Sequence, residues 1–193
     1  GKTMAVLYPA LRGQKVGDKL FFLTSKSRGA DALLNATQDI IKANKEGAEQ
    51  LIAVQLTAKE KSCLVVGMPC SAELCEYAED YYDKVPKALE QLIQQGGIND
   101  QAQIEAAARK YKVCPFELSL DLATWSDLII GDYNYIFDPV VRLQRFIAQP
   151  NIHLLVDEAH QLSPRVQSML GVQITSYEIR AAKSSKHKAM AKR

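Results

Sequence analysis

The chain has no long apolar run, no secretion signal, no internal repeat and almost no net charge. None of its apolar stretches approaches the roughly 20 residues that cross a bilayer, so a membrane partner is not expected. Nor does the start carry a basic stretch leading into an apolar core, so no export signal is read. These two absences predict a cytoplasmic protein, of a bacterial cytoplasm or nucleoid. The formal charge is only +2, with 24 Lys and Arg against 22 Asp and Glu, so charge alone gives no argument for nucleic acid. A local basic run at Arg180, Lys183, Lys186, Lys188, Lys192 and Arg193 reads as a solvated tail or a domain edge rather than a binding arm. Low-complexity and repeated segments are missing too, which excludes repeat arrays. The first residue is Gly1 and not Met, which is read as a piece of a longer natural chain.

What is present is the composition of a packed domain: 47% hydrophobic and 24% charged residues over 193 positions. The apolar pattern alternates between strands and helices, which predicts an α/β fold. Thr3 to Leu11 suits a helix, and Leu20 to Leu23 a buried strand closed by the polar turn Thr24 to Gly29. From Ala30 to about Gln50, Leu33, Leu34, Thr37, Ile40 and Ile41 recur at helical spacing. A short strand is expected at Leu51 to Leu56, and the stretch from Cys63 to Cys114 then reads as an insert. Its helices are expected near Tyr77 to Ile93 and Gln101 to Tyr111, broken at Gly96-Gly97. Afterwards come a helix at Pro115 to Ala123, a strand at Leu128 to Ile130, a helix at Phe137 to Phe146 and a strand at Ile152 to Val156. The pattern from Val166 to Ile179 favours neither state.

Two motifs carry chemistry. Gly1-Lys2-Thr3 spells the end of a phosphate loop, where backbone N–H groups cradle phosphates, Lys neutralises β and γ oxygens and the Thr hydroxyl ligates magnesium. Far downstream, Ile152 to Val156 runs straight into Asp157-Glu158-Ala159-His160. A carboxylate at the end of a parallel strand can hold magnesium, and the next can orient or deprotonate the attacking water. Asp157 takes the first role and Glu158 the second. The plainer alternative, two acids opening a helix, leaves the apolar run before them unexplained. Together the motifs indicate a nucleotide hydrolase.

Val156 to His160 resembles the DEAH-type Walker B box of superfamily two helicases. Leu128 to Pro139, ending Asp132-Tyr133-Asn134-Tyr135-Ile136-Phe137-Asp138-Pro139, is similar to the segment upstream of that box in the XPD/DinG branch. There a strand leads into Asn-Tyr-x-Tyr-Leu-Phe-Asp-Pro, and Asp132 stands in place of the usual Asn. Leu23 to Ser27 looks like the family's motif Ia, which implies that Thr24, Ser25 and Lys26 touch the backbone of single-stranded DNA. The resemblance, from Gly1 to about Pro164, implies an ATP-dependent 5′ to 3′ DNA helicase with a RecA-like parallel sheet flanked by helices. It also implies that Lys2 serves catalysis, that Gly1, Lys2, Thr3, Asp157, Glu158 and His160 bind ATP, and that Thr3 and Asp157 hold Mg2+. His160 would couple the γ-phosphate to neighbouring motifs. The partners implied are single-stranded DNA and a second motor domain of the full-length chain, without which the piece is expected to be inactive.

Cys63, Cys70, Cys75 and Cys114 are the only cysteines. Thiolates suit zinc or an iron-sulfur cluster equally on softness, although structural zinc favours two close Cys pairs rather than three cysteines and a remote one. Disulfides would need an oxidising compartment, and buried inert thiols remain the plainest alternative. In the XPD/DinG branch an insert at this place binds a 4Fe-4S cluster, and Cys114-Pro115-Phe116-Glu117 resembles its last ligand motif. Tyr77, Tyr81, Tyr82, Lys84 and Lys87 offer it base-stacking and phosphate-binding groups, or else pack the insert on the core. The expected organisation is thus 1–58 as the first part of a RecA-like domain, 59–114 as a small helical iron-sulfur insert, 115–165 as the second part of the RecA-like domain, and 166–193 as the start of an arch domain or a tail. The competing class is a non-enzymatic metal- and nucleic-acid-binding module whose nucleotide motifs are relics.

Overall fold

Phe21 and Phe22 are neighbours in sequence, yet they bury into opposite halves of the core. That is the signature of a strand covered on both faces, and it organises the molecule. The computed structural model describes residues 2–24, 27–43, 51–171 and 175–184. In chain order it has α1 (Lys2–Arg12), β1 (Lys19–Thr24), α2 (Ser27–Ala43), β2 (Ile52–Gln55), the single turn α3 (Lys59–Ser62) and α4 (Tyr81–Gln95). There follow β3 (Gly97–Asn99), α5 (Gln101–Tyr111), α6 (Pro115–Ala123), β4 (Leu128–Asp132), the short α7 (Asn134–Phe137) and α8 (Gln144–Ile147), and β5 (Ile152–Val156). A 3-10 turn (Ala159–Gln161), α9 (Leu162–Leu170) and α10 (Ser176–Ser184) complete it.

The strands form one five-stranded sheet in the order β3-β2-β4-β1-β5, and every pairing is parallel. Alternate strand residues feed two apolar layers. Phe21, Leu23, Val54 and Ile129 join α4, α5 and α6 through Val85, Leu92, Ile104 and Leu118. Leu20, Phe22, Ala53, Leu128 and Ile130 meet α1 and α2 through Leu7, Leu33, Ala36 and Ile40. The central strands are buried, whereas His153 and Leu154 of the edge strand β5 are exposed.

Local signals explain the element ends. Asp100 caps α5 by accepting from the Gln103 N–H at 2.9 Å, and Pro115 opens α6, where its missing donor costs nothing. Gly96 and Gly97 have φ of 56° and 72°, the left-handed region that lets α4 stop and turn at once into β3.

The structure departs from the sequence expectations at four places. The helix expected over Phe137 to Phe146 is two separate turns, α7 and α8, because Pro139 pushes Asp138 into an extended conformation. Asp138 Oδ1 then accepts from the Val140 and Val141 N–H groups and fixes the turn. The helix expected from Tyr77 begins at Tyr81, after a run of turns ending at Asp80 with φ 49°. Gly97–Asn99, read from sequence only as a break, adds a parallel edge strand beside β2. Finally, the undecided stretch after Ser163 contains α9 and α10.

Candidate nucleotide site and cysteine cavity

Register brings the candidate residues together at the carboxyl edge of the sheet. Thr24 pairs with Asp132, and Leu23 pairs with Val156, so Asp132, Thr24 and Asp157 stand in a row at the ends of β4, β1 and β5. This is the edge at which open parallel sheets bind ligands. The Asp157 N–H donates to the Leu23 carbonyl at 2.9 Å, extending the ladder one residue past β5. Asp157 Oδ1 accepts from the Glu158 N–H at 3.0 Å. Its Oδ2 faces Gly29 in the first turn of α2, where an added Cβ would lie 3.5 Å away and only 3.3 Å from Thr24 Cβ. A side chain at position 29 would therefore press on Thr24 and touch the carboxylate, and this close approach was not apparent from sequence.

Glu158 adopts a left-handed backbone, φ 49° and ψ 45°, which is uncommon for a residue with a side chain. The Tyr133 hydroxyl donates to the carbonyl oxygens of both Asp157 and Glu158, and the Gln161 N–H donates to the Glu158 carbonyl at 2.8 Å. The Glu158 carboxylate stays exposed, with His160 Nδ1 3.3 Å from its Oε2. Beside them, Arg165 Nη2 donates to Asp132 Oδ1 at 2.9 Å, to Asp132 Oδ2 at 3.0 Å and to Asn134 Oδ1 at 3.2 Å. The guanidinium carbon lies 5.8 Å from the centre of the Tyr133 ring. Tyr133 lies within the motif read over residues 132–139, but the contacts that it and Arg165 make escaped the sequence reading because their partners lie 24 to 33 positions away.

Of the expected phosphate-loop residues, Lys2 and Thr3 begin α1, while Gly1 lies outside the described residues. Met4 and Leu7 pack α1 into the apolar layer that holds Leu20 and Phe22 of β1. Among the described residues, no hydrogen bond or ion pair joins Lys2 or Thr3 to Asp157 or Glu158. Thr24 is buried at the end of β1; Ser25 and Lys26 lie outside the described residues, as does most of the basic run from residue 185 onward.

Cys63, Cys70, Cys75 and Cys114 all line one cavity of about 290 Å³, walled also by Lys59, Tyr77, Tyr81, Phe116 and Arg145. Among the described residues, no group of three or more His, Cys, Asp or Glu is close enough to hold a single metal ion. Cys114 sits at the head of α6, and burial pushes its thiol up despite N–H groups of Glu117 and Phe116 that favour the thiolate. Lys59 is drawn down by burial, but the neighbouring Cys70, Cys114 and Glu117 outweigh this and leave it above the usual lysine range. Of the insert's tyrosines, Tyr81 serves packing: it is buried, and its hydroxyl donates to Asp121 Oδ2 at 2.9 Å. Arg145 donates to Asp121 Oδ1 at 2.9 Å, so one carboxylate ties α4 and α8 to α6. Tyr82 is exposed on the cavity rim. A second cavity of about 520 Å³ shares the Lys59 and Phe116 wall and runs along the carboxyl edge past Thr24, Gln55 and Asp132.

Relatives of known identity agree with this architecture. A regulator of telomere elongation helicase 1 homolog from Culex quinquefasciatus is 29% identical over 132 residues, covering 68% of this chain and 14% of that protein. The homolog from Drosophila willistoni is 31% identical over 85 residues, 44% of this chain and 8% of its own. This chain therefore spans only a small part of the curated relatives it matches. Among solved structures, an XPD helicase superposes with a TM-score of 0.55 at 21% identity, covering 87% of this chain and 28% of that one. A truncated XPD gives 0.57 at 20% identity, with 96% and 52% covered. These two share the RecA-like α/β fold. The DEAD_2 family model matches residues 27–179, from the start of α2 through the acidic loop into α10, and on that match the chain belongs to the DEAD_2 family.

Proposed function

We propose that this chain is the ATP-hydrolysing part of an iron-sulfur DNA helicase that moves 5′ to 3′ on single-stranded DNA. The observation that carries the reading is the convergence of three near cysteines and one remote in sequence on one cavity beside a parallel sheet that ends in Asp157 and Glu158. A nucleotide motor explains the second feature and a cluster-bearing insert the first; a relic metal-binding module explains only the cysteines.

Asp157 fits a magnesium ligand. It is half-buried, Oδ1 is oriented by the Glu158 N–H, and Oδ2 has no donor among the described residues. Magnesium held there, with Thr3 as the other protein ligand, would neutralise charge developing on the phosphates. Glu158 would orient and deprotonate the attacking water, Lys2 would meet β and γ oxygens, and His160, already beside Glu158, would report the γ-phosphate to the loop. Thr24, Ser25 and Lys26 would contact the DNA backbone. The cysteines would hold a 4Fe-4S cluster, whose iron-thiolate bonds would supply fold energy that the turn-rich segment 63–80 lacks. The four thiols that line the cavity are the donors that would hold the cluster. Cys114 would anchor it to the core, and Lys59 would balance the thiolate charge.

The test uses the full-length protein, purified without oxygen. A brown protein with absorbance at about 400 nm, iron and acid-labile sulfide, and an ATPase stimulated by single-stranded DNA are the expected results. Glu158→Gln should keep ATP binding and lose turnover. Zinc in place of iron would overturn the cluster, and turnover unchanged in Glu158→Gln would remove that residue from its role.

A further inference from the structure

The acidic loop is held by groups outside the DEAH box. Glu158 occupies a left-handed conformation that a residue with a side chain keeps only where its surroundings hold it there. The imposing groups are Tyr133, whose hydroxyl donates to the two carbonyls that flank the Glu158 Cα, and Arg165, which lies over the Tyr133 ring. Arg165 in turn grips both oxygens of Asp132 and the amide oxygen of Asn134. It reaches them from α9, the helix that follows the acidic loop, and so closes a ring: β4, Tyr133, the loop, the 3-10 turn, α9 and back to β4. The carboxylate at position 132 makes this a charge-assisted, two-oxygen grip on the guanidinium.

We propose that Tyr133 and the Asp132–Arg165 pair are positioning residues that lock the backbone of Asp157 and Glu158 into the geometry needed for hydrolysis, so that a movement of α9 is transmitted to the catalytic carboxylate. The argument rests on the hydrolase reading for its consequence, but the clamp is measurable without it. Tyr133 aims the loop directly. Arg165 acts through Tyr133 and Asp132, and couples the loop to whatever α9 packs against.

The test is amide hydrogen exchange on the full-length protein alongside ATPase kinetics. Tyr133→Phe keeps the ring and deletes the donor; Arg165→Ala deletes the grip; Asp132→Arg with Arg165→Asp restores a pair of opposite polarity. The two single variants should speed exchange at the amides of residues 157–161 by about ten-fold, leave Ala53 and Val54 unchanged, and lower kcat by about ten-fold with KM for ATP moved less than about two-fold. The reversed pair should recover much of both effects. Unchanged exchange at 157–161 in both single variants overturns the clamp. A wild-type protein without ATPase, yet with the exchange response intact, would sink the hydrolase reading and leave the clamp standing. Equal acceleration at Ala53 and Val54 would mean general loosening and also overturn it.

Discussion

The acidic loop and the cysteine segment are both irregular backbone beside the same sheet, but they are held in different ways. Residues 157–161 are pinned from outside themselves, by the Leu23 carbonyl, the Tyr133 hydroxyl and the turn into α9. From Cys63 to Asp80 the backbone bonds among the described residues are local, running from Cys63 to Lys59, from Cys75 to Ser71 and from Ala78 to Cys75. Val66, Met68 and Leu74 project into solvent, and the Ser71 hydroxyl is buried with no partner among the described residues. The difference teaches that one loop is shaped by contacts from the fold around it and the other by its own short turns. On the reading proposed above, the acidic loop places two carboxylates before substrate arrives, whereas the cysteine segment would gain its order from the cluster it binds.

The sharpest way to break this comparison is to remove the one cysteine that belongs to the sheet-bearing core. Cys114 stands at the head of α6, whose Leu118, Leu120 and Leu122 are buried. In the full-length protein, Cys114→Ser should abolish bound iron and the absorbance at about 400 nm, and should open residues 63–80 to protease while 152–162 stays resistant. Cys70→Ser, at the exposed rim, should lose less iron. Full iron content in Cys114→Ser would show that the segment does not depend on it.

A core substitution should do the reverse. Leu33 of α2 is fully buried in the apolar layer opposite the cysteine cavity. Leu33→Ala should cost about 2 to 5 kcal/mol in denaturant unfolding of a two-state domain, yet leave iron content unchanged below the transition. Iron loss in step with each increment of core destabilisation would erase the distinction between the two regions.

Much of this was legible in the sequence. Two strands covered on both faces, β1 and β4, announce themselves as continuous apolar runs, and α5, α6 and β5 begin and end where periodicity, Asp100 and Pro115 place them. Asp157 and Glu158 follow their strand as read. What was not legible is spatial. Nothing local in Gly-Ile-Asn says that residues 97–99 pair with β2, because three residues carry no period. Pro139 was the visible cue that should have broken the helix expected over 137–146. The clamp was hidden because Asp132, Tyr133 and Arg165 meet only after β4 and α9 are laid side by side. Cysteine identity was plain, but that four thiols would share one cavity depended on α4 and α6 packing together.

The smallest expected effect separates the two regions by titration. Burial, followed by the charges of Asp132 and Glu60, pushes Tyr135 at the acidic edge up to about 12, and burial with Asp121 also raises Tyr81 beside the cysteines. A tyrosine whose folded pKa is raised stabilises the fold fully below its unfolded value near 10, and that contribution is lost as pH climbs toward the folded value. Stability should therefore fall from about pH 10 upward, Tyr135 accounting for about 2 kcal/mol by pH 12. Tyr135→Phe should flatten the slope between those pH values, because the Tyr135 hydroxyl donates no hydrogen bond among the described residues and its loss removes the titration with little else. Tyr81→Phe also breaks the bond to Asp121, so it should lower stability at neutral pH as well, by about 1 kcal/mol. Denaturant melts from pH 8 to 12 would read both, and an unchanged alkaline slope in Tyr135→Phe would mean that the acidic edge is already open to water when the rest of the sheet is closed.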